Sequence, residues 1–257
     1  MFFGVVTDIG DDPGVPTLPG MTATPPIPAT GTPSPDGSGT APPGDGDAQP
    51  RQFALTVLVA APAAWFFGWV VMRVRTTHGP GAAWTTAHSL WIVAFTMFAI
   101  GCVGLARLVG SRRLVGQGRA TGPGHAVLVA ATTVALVGAV LTGLQMVLDL
   151  IVGFAPTEAA MDDRYDALFA VPGVHLVCYT LAPIVFYVGL LALLVLGAVR
   201  RTAPVALVVL AGCGILAAGI GHGLPGMLRL VEGAGGLLIL GALASIVRTR
   251  GGALPPA

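Results

Sequence analysis

Lysine is absent from this chain of 257 residues, and all 13 of its basic residues are arginine. Charge of either sign is scarce, at 10% of residues, where a water-soluble domain carries about a quarter. The net charge of +1 comes with no dense basic patch, which excludes nucleic acid as a partner. Cysteine is also rare. Cys102, Cys178 and Cys213 each fall inside an apolar run, with no CxxC spacing, so neither a disulfide framework nor a zinc ribbon is expected. P-loop, dinucleotide-binding glycine pattern, GxSxG elbow and acidic metal-loop motifs are missing too.

What fills the chain is hydrocarbon. Apolar residues make up 54%, with a mean hydropathy of +0.82, and they come in blocks long enough to cross a bilayer, about 20 residues each. Six such blocks are predicted: 53–72 with a kink at Pro62, 84–108, 126–152, 174–199, 204–221 and 227–247. Each is apolar all round, as a helix in lipid must be, because only a helix satisfies its own backbone there. The expected fold class is therefore all-α, a polytopic bundle of six transmembrane helices with a disordered N-terminal tail.

The chain divides accordingly. Residues 1–50 form a Pro/Gly/Thr-rich tract with too little apolar area to offset its chain entropy, and read as a disordered cytoplasmic tail. MFFGVVTDIG lacks the basic start of a signal peptide, and Met21 is an alternative first residue to Met1. Residues 51–250 hold the six spans, and 251–257 are a short C-terminal tail. Arg51, Arg107, Arg112, Arg113, Arg119, Arg200, Arg201, Arg248 and Arg250 fall on one side of the spans. Arg73, Arg75, Arg164 and Arg229 fall on the other, with Asp149, Glu158, Asp162, Asp163, Asp166 and Glu232. The positive-inside rule puts the first set, and both termini, in the cytoplasm of a bacterium bounded by this inner membrane. Residues 154–172 then make a short acidic loop outside.

That orientation sorts the polar residues at membrane depth. His78, His88, His175 and His222 belong to the outer end and only His125 to the inner one. Thr142, Gln145 and Asp149, spaced i, i+3, i+7, share one helix face. Ionisable groups at this depth are costly and should face the bundle interior or water. Asp149, His88, His175 and His222 are thus expected in one outer-leaflet pocket, with Gln145 beside them and Glu158 and an Arg229/Glu232 pair at its mouth. Small residues should carry the helix contacts, Gly219-xxx-Gly223 among them. Trp65, Trp69, Trp84 and Trp91 read as packing and interface anchors.

Several uses suit such a pocket. The favoured one is non-enzymatic: a binding, transport-related or accessory membrane module whose partners are the bilayer, a lipid or small apolar ligand, and a second copy or partner subunit. No cofactor is required for it. The alternative is a metal-dependent hydrolase in which His88, Asp149, His175 and His222 hold zinc and the ion supplies a hydroxide nucleophile. A further alternative is a single haem held between His88 and His175. The plain structural reading is that these residues bond to headgroups, water or one another at the interface.

The turn GFAPTE (Gly153 to Glu158), the histidine opening the next span in VPGVHLVCY (Val171 to Tyr179) and the Gly223-to-Arg229 entry to the last span together carry a resemblance. Over residues 55–248 the chain resembles a bacterial six-helix membrane family known as domain of unknown function 998. The resemblance implies fold and membrane location and no activity. The turn departs from the family pattern by an inserted Ala155 and by Glu158 where aspartate is usual.

Overall fold

The computed structural model describes residues 48–76, 79–111 and 123–251. Residues 1–47 of the expected N-terminal tail, His78, Arg112, Arg113, Arg119 and the last six residues lie outside the described residues, and residues 48–50, expected in the tail, already belong to a helix. Within them the chain is helical, with no strand. Helices α1 (Ala48–Val74), α2 (Ala82–Ser111), α3 (Pro123–Val152), α5 (Ala182–Val199), α6 (Val205–His222) and α7 (Leu230–Gly251) are the long ones. A seventh, α4 (Glu158–Phe169), lies between α3 and α5. Six described segments are long and apolar enough to cross a membrane, from Gln52–Val74 to Gly226–Thr249. This fits a multi-pass integral membrane protein in contact with lipid. Helix α1 runs through the buried Pro62 as one helix.

The long helices pack in a ring. Successively α1 lies on α2, α2 on α3, α3 on α5, α5 on α6, α6 on α7, and α7 closes back on α1. On α3 the arrangement is visible in the period: Leu128, Ala131, Ala135, Ala139, Thr142, Met146 and Asp149 are buried, whereas Val127, Val134, Val137, Val140, Leu144 and Ile151 are exposed. The first set is the inward stripe and the second is the stripe lipid would cover. Phe95 and Phe98 of α2 meet the fully buried Phe186 of α5 at centroid distances of 5.4 and 5.0 Å. Below them Leu105, Leu190, Leu193, Leu194 and Leu243 fill the bundle toward the end away from α4.

Helices touch backbone to backbone at several crossings, α3 with α5 and α6 with α7 among them. A Cβ on Gly138 of α3 would collide with the Phe186 backbone of α5, and one on Gly189 with Ala135. Likewise Gly214 and Ala218 of α6 lie against Gly235 of α7, and Gly221 against Glu232. The Gly219-xxx-Gly223 contact expected from the sequence is not made, since Gly219 has nothing within 4 Å. The α6 face that meets α7 is the one carrying 214, 218 and 221, and Gly219 is turned off it.

The acidic segment expected as a loop is helix α4. Thr157, in extended conformation, accepts the Ala160 N–H on its hydroxyl, and Glu158 stands in the first turn, where a negative charge suits the helix dipole. Met161, Tyr165 and Leu168, at i, i+4 and i+7, turn one apolar stripe onto Trp84, Val152 and Ala155, leaving Asp162, Asp163 and Asp166 exposed.

Gly138→Val should lower stability by about 1–3 kcal/mol through overpacking. Gly241→Ala, where nothing lies within 4 Å of the added Cβ, should be neutral or stabilising. Thermal midpoints of the detergent-solubilised variants check the pair; equal losses would mean that α3 and α5 do not cross in this way.

Candidate functional site

Asp149 ends the inward stripe of α3 and is 6% exposed. A carboxylate so enclosed must be met by donors. Its Oδ1 accepts the hydroxyls of Tyr165 at 2.8 Å and Tyr179 at 2.7 Å. Its Oδ2 lies 3.8 Å from Nε2 of His88, a residue 3% exposed. Its backbone carbonyl accepts the Trp84 indole N–H at 2.9 Å as well as the Gly153 N–H. One residue thus joins α2, α3, α4 and the segment that leads into α5.

Each partner is aimed by its own local structure. His88 sits one turn after Trp84, its Nδ1 donating to the Trp84 carbonyl at 2.8 Å and its ring stacked on the indole at 4.2 Å. That bond leaves Nε2 as the nitrogen facing Asp149. Trp84 fits because Gly153 has no side chain: a Cβ there would collide with the indole ring. The Arg75 guanidinium stands 5.7 Å from the same ring, within cation–π range. Tyr179 is placed by a π-helical turn, His175–Leu181, that opens the fourth span. Pro183, in the first turn of α5, has no N–H for the Tyr179 carbonyl and would crowd it in an α-helix. The wider turn relieves that clash, and the Ala182 N–H bonds instead to Val177 five residues back. Outside the spans, burial first and then the Asp149 carboxylate push the Tyr165 phenol well above its ordinary value of 10.0.

From His88 the contacts continue around the ring. Its imidazole meets Trp91 edge-on at 4.9 Å, and Trp91 Nε1 donates to the Trp65 carbonyl at 3.0 Å. Trp65 packs on Gly236 of α7 and Trp69 on Gly233. Beside them the buried Glu232 accepts from His222 Nδ1 at 3.2 Å. Three buried polar atoms at this end have no hydrogen-bond partner among the described residues: Gln145 Oε1, Trp69 Nε1 and Arg75 NH1.

The expected pocket is therefore only partly assembled. His88, Asp149 and, one turn further in, Gln145 belong together. His175 is exposed and lies against Phe169 and Tyr179, at centroid distances of 5.2 and 6.4 Å. Glu158 is exposed on α4, its side chain against Gly79. His222 pairs with Glu232 on α6 and α7, and Arg229 donates to the Leu224 carbonyl at 2.8 Å, with no ion pair to Glu232 within 4.0 Å. Among the described residues no three His, Cys, Asp or Glu side chains come together to hold a metal ion. The set His88, Asp149, His175 and His222 is split because α3 and α6 occupy different sides of the ring. For a haem, His88 has both nitrogens turned to protein, Nδ1 to Trp84 and Nε2 to Asp149.

Tyr165, Tyr179 and Trp84 were not among the residues expected at the site. Tyr179 had a signal in the sequence, a hydroxyl four residues before Pro183 in an otherwise apolar opening. Tyr165 had one in its i, i+4, i+7 spacing with Met161 and Leu168.

No protein-family model matches the chain, and neither a curated protein nor a solved structure does.

Removing one donor from Asp149, by Tyr165→Phe or Tyr179→Phe, should cost about 1–3 kcal/mol, because a bond to a charged acceptor is lost. Above pH 10 an unfolded chain ionises its tyrosines while Tyr165 holds its proton in the fold. Stability contributed by that phenol is therefore complete below pH 10 and falls as pH rises beyond it. Thermal midpoints from pH 8 to about 11 should decline with a slope that Tyr165→Phe makes shallower; an unchanged slope would contradict the Tyr165–Asp149 bond.

Proposed function

We propose that this chain is a non-enzymatic binding module of a bacterial cytoplasmic membrane, with both termini inside and α4 outside. The split of the arginines supports that orientation. Arg107, Arg200, Arg201 and Arg248 attend the end away from α4, and every acid of the six-span region attends the α4 end. On this reading α4 covers a polar site in the outer half of the bundle, centred on His88, Gln145 and Asp149, which holds a small or lipid-like ligand.

The observation that carries the reading is Gln145 Oε1, buried and unpartnered one helical turn inside Asp149. In a membrane span an acceptor with no donor costs several kcal/mol, and a bound molecule supplies the missing partner. The Oδ2 of Asp149, 3.8 Å from His88 Nε2, is beyond hydrogen-bond length, so it adds a second acceptor. With Nδ1 donating to Trp84, Nε2 of a neutral His88 is an acceptor too, so the site suits a ligand with a donor group. The packed leucines and phenylalanines farther in favour a site closed at its inner end over a continuous pore. The resemblance to domain of unknown function 998 is consistent with this membrane placement and adds no activity.

Mass spectrometry of molecules released by denaturing the purified protein tests the proposal. The wild type should release a ligand that Gln145→Leu and Asp149→Asn each reduce at least about fivefold, equivalent to roughly 1 kcal/mol of binding. Equal release from all three proteins would remove the site, as would zinc-dependent ester hydrolysis abolished by His88→Ala. For the orientation, a cysteine replacing Asp162 on α4 should react with a membrane-impermeant maleimide in intact cells. Protection there, with labelling at Arg201→Cys, would invert the topology.

A further inference from the structure

The α6–α7 hairpin carries a second cluster, on helices that take no part in the Asp149 hydrogen bonds. His222 closes α6 with its side chain 83% exposed, and its Nδ1 is tied to Glu232, which is buried at the start of α7. With Nδ1 donating to the carboxylate, Nε2 is the ring atom left for an outside partner, in the manner of a carboxylate-oriented histidine. Arg229 ends the short 3₁₀ segment Gly226–Arg229, its Nε fixed on the Leu224 carbonyl. No other bond holds its guanidinium among the described residues, and the side chain is exposed. Arg73 reaches the same corner from α1: its guanidinium stands 5.7 Å from the ring of Trp69, which packs on Gly233 beside Glu232. Three basic side chains thus gather where only one carboxylate, already engaged, answers them. Around them stands an apolar rim of exposed side chains: Ile220, Met227, Leu228 and Leu230. The cluster also falls where the spans Val205–His222 and Gly226–Thr249 meet, the depth at which a bilayer places its headgroups.

We propose that His222, Arg229 and Arg73 form a binding site for the phosphate of an anionic phospholipid headgroup, with Glu232 orienting His222 and the apolar rim receiving the acyl chains. The forked guanidinium of Arg229 suits phosphate oxygens, and its anchored Nε restricts the fork before the ligand arrives. His222 Nε2 faces the same outside partner. The apolar rim distinguishes a lipid from a free anion, since inorganic phosphate has no use for Met227 or Leu228. Nothing in this site depends on the Asp149 ligand, so either proposal survives the failure of the other.

The experiment is native mass spectrometry of the full chain, delipidated in detergent and then offered phosphatidylglycerol. Wild type should retain the lipid. Arg229→Gln and His222→Gln should each weaken retention about tenfold, and Glu232→Gln less than either. Arg248→Gln, at the far end of α7, should bind as wild type. Arg229→Lys keeps the charge and should fall between wild type and Arg229→Gln, which separates lost binding from lost folding. Displacement of the lipid by millimolar inorganic phosphate supports the shared phosphate chemistry. Binding of inorganic phosphate by a protein that retains no phosphatidylglycerol overturns the lipid as occupant. Equal retention of oleate would show that negative charge alone is read and overturns the phosphate assignment. Unchanged retention in Arg229→Gln and His222→Gln overturns the site.

Discussion

The Asp149 carboxylate sets the constraint from which the α4 end of this bundle follows. It stands at the end of a stripe that faces inward from Leu128 to Met146, and the geometry of α3 gives it no route to solvent. Enclosed and ionisable, it has to be matched by donors. Tyr165 and Tyr179 come from two other elements to donate to it, and His88 from a third faces its Oδ2 at 3.8 Å. The position of α4 is one consequence, because an amphipathic helix of 12 residues has little stability of its own and is held by Tyr165 and its small apolar stripe. The π-turn at the head of the fourth span is another, since it lets Tyr179 reach the carboxylate while Pro183 remains in the helix.

Away from that end the chain relies on close approach. Lipid offers no hydrophobic drive between helices, so contact area must come from fit. Gly138 and Gly189 let α3 and α5 meet at the backbone, and Gly214 with Gly235 does the same for α6 and α7. Between α1 and α7 the solution differs: tryptophans 65 and 69 fill the faces left bare by Gly236 and Gly233. A small-residue face therefore serves two purposes in one protein, bare backbone contact and reception of an indole. Which glycine does either depends on the rotation of its helix, and for this reason the spacing of Gly219 and Gly223 gave a contact that the helices do not make.

The six spans were legible because length and hydropathy are properties of a segment, insensitive to its neighbours. Their ends fall within a few residues of the expected ones; the third, for instance, was expected over 126–152 and runs Gly124–Val152. The site was legible in part. Thr142, Gln145 and Asp149 share a face by helical period alone, and the depth of His88 made it a partner. What could not be read was the order of helices around the ring, which sends His222 to Glu232 and leaves His175 against Phe169. Helix α4 was hidden by its acids: three of them occupy the exposed face, and the average over the segment conceals the stripe of Met161, Tyr165 and Leu168. The GFAPTE turn has a structural account of its own, with Gly153 admitting the Trp84 indole and Thr157 capping α4.

The two buried acids illustrate how similar residues diverge by what surrounds them. Both stand near helix ends at the α4 end of the bundle, and both have a histidine as neighbour. Asp149 is encircled: His88 is buried with it, and two phenols occupy Oδ1, so the group looks inward and any partner must come from inside the bundle. Glu232 is buried beneath an exposed histidine, so its influence is passed outward through the imidazole to whatever lies beside the hairpin. An inward acceptor with Gln145 near it calls for a ligand that brings a donor. An outward imidazole flanked by Arg229 and Arg73 calls for an anion. Charge, burial and direction thus separate the two proposed recognition surfaces on one ring of helices, and the direction of the histidine decides which is which.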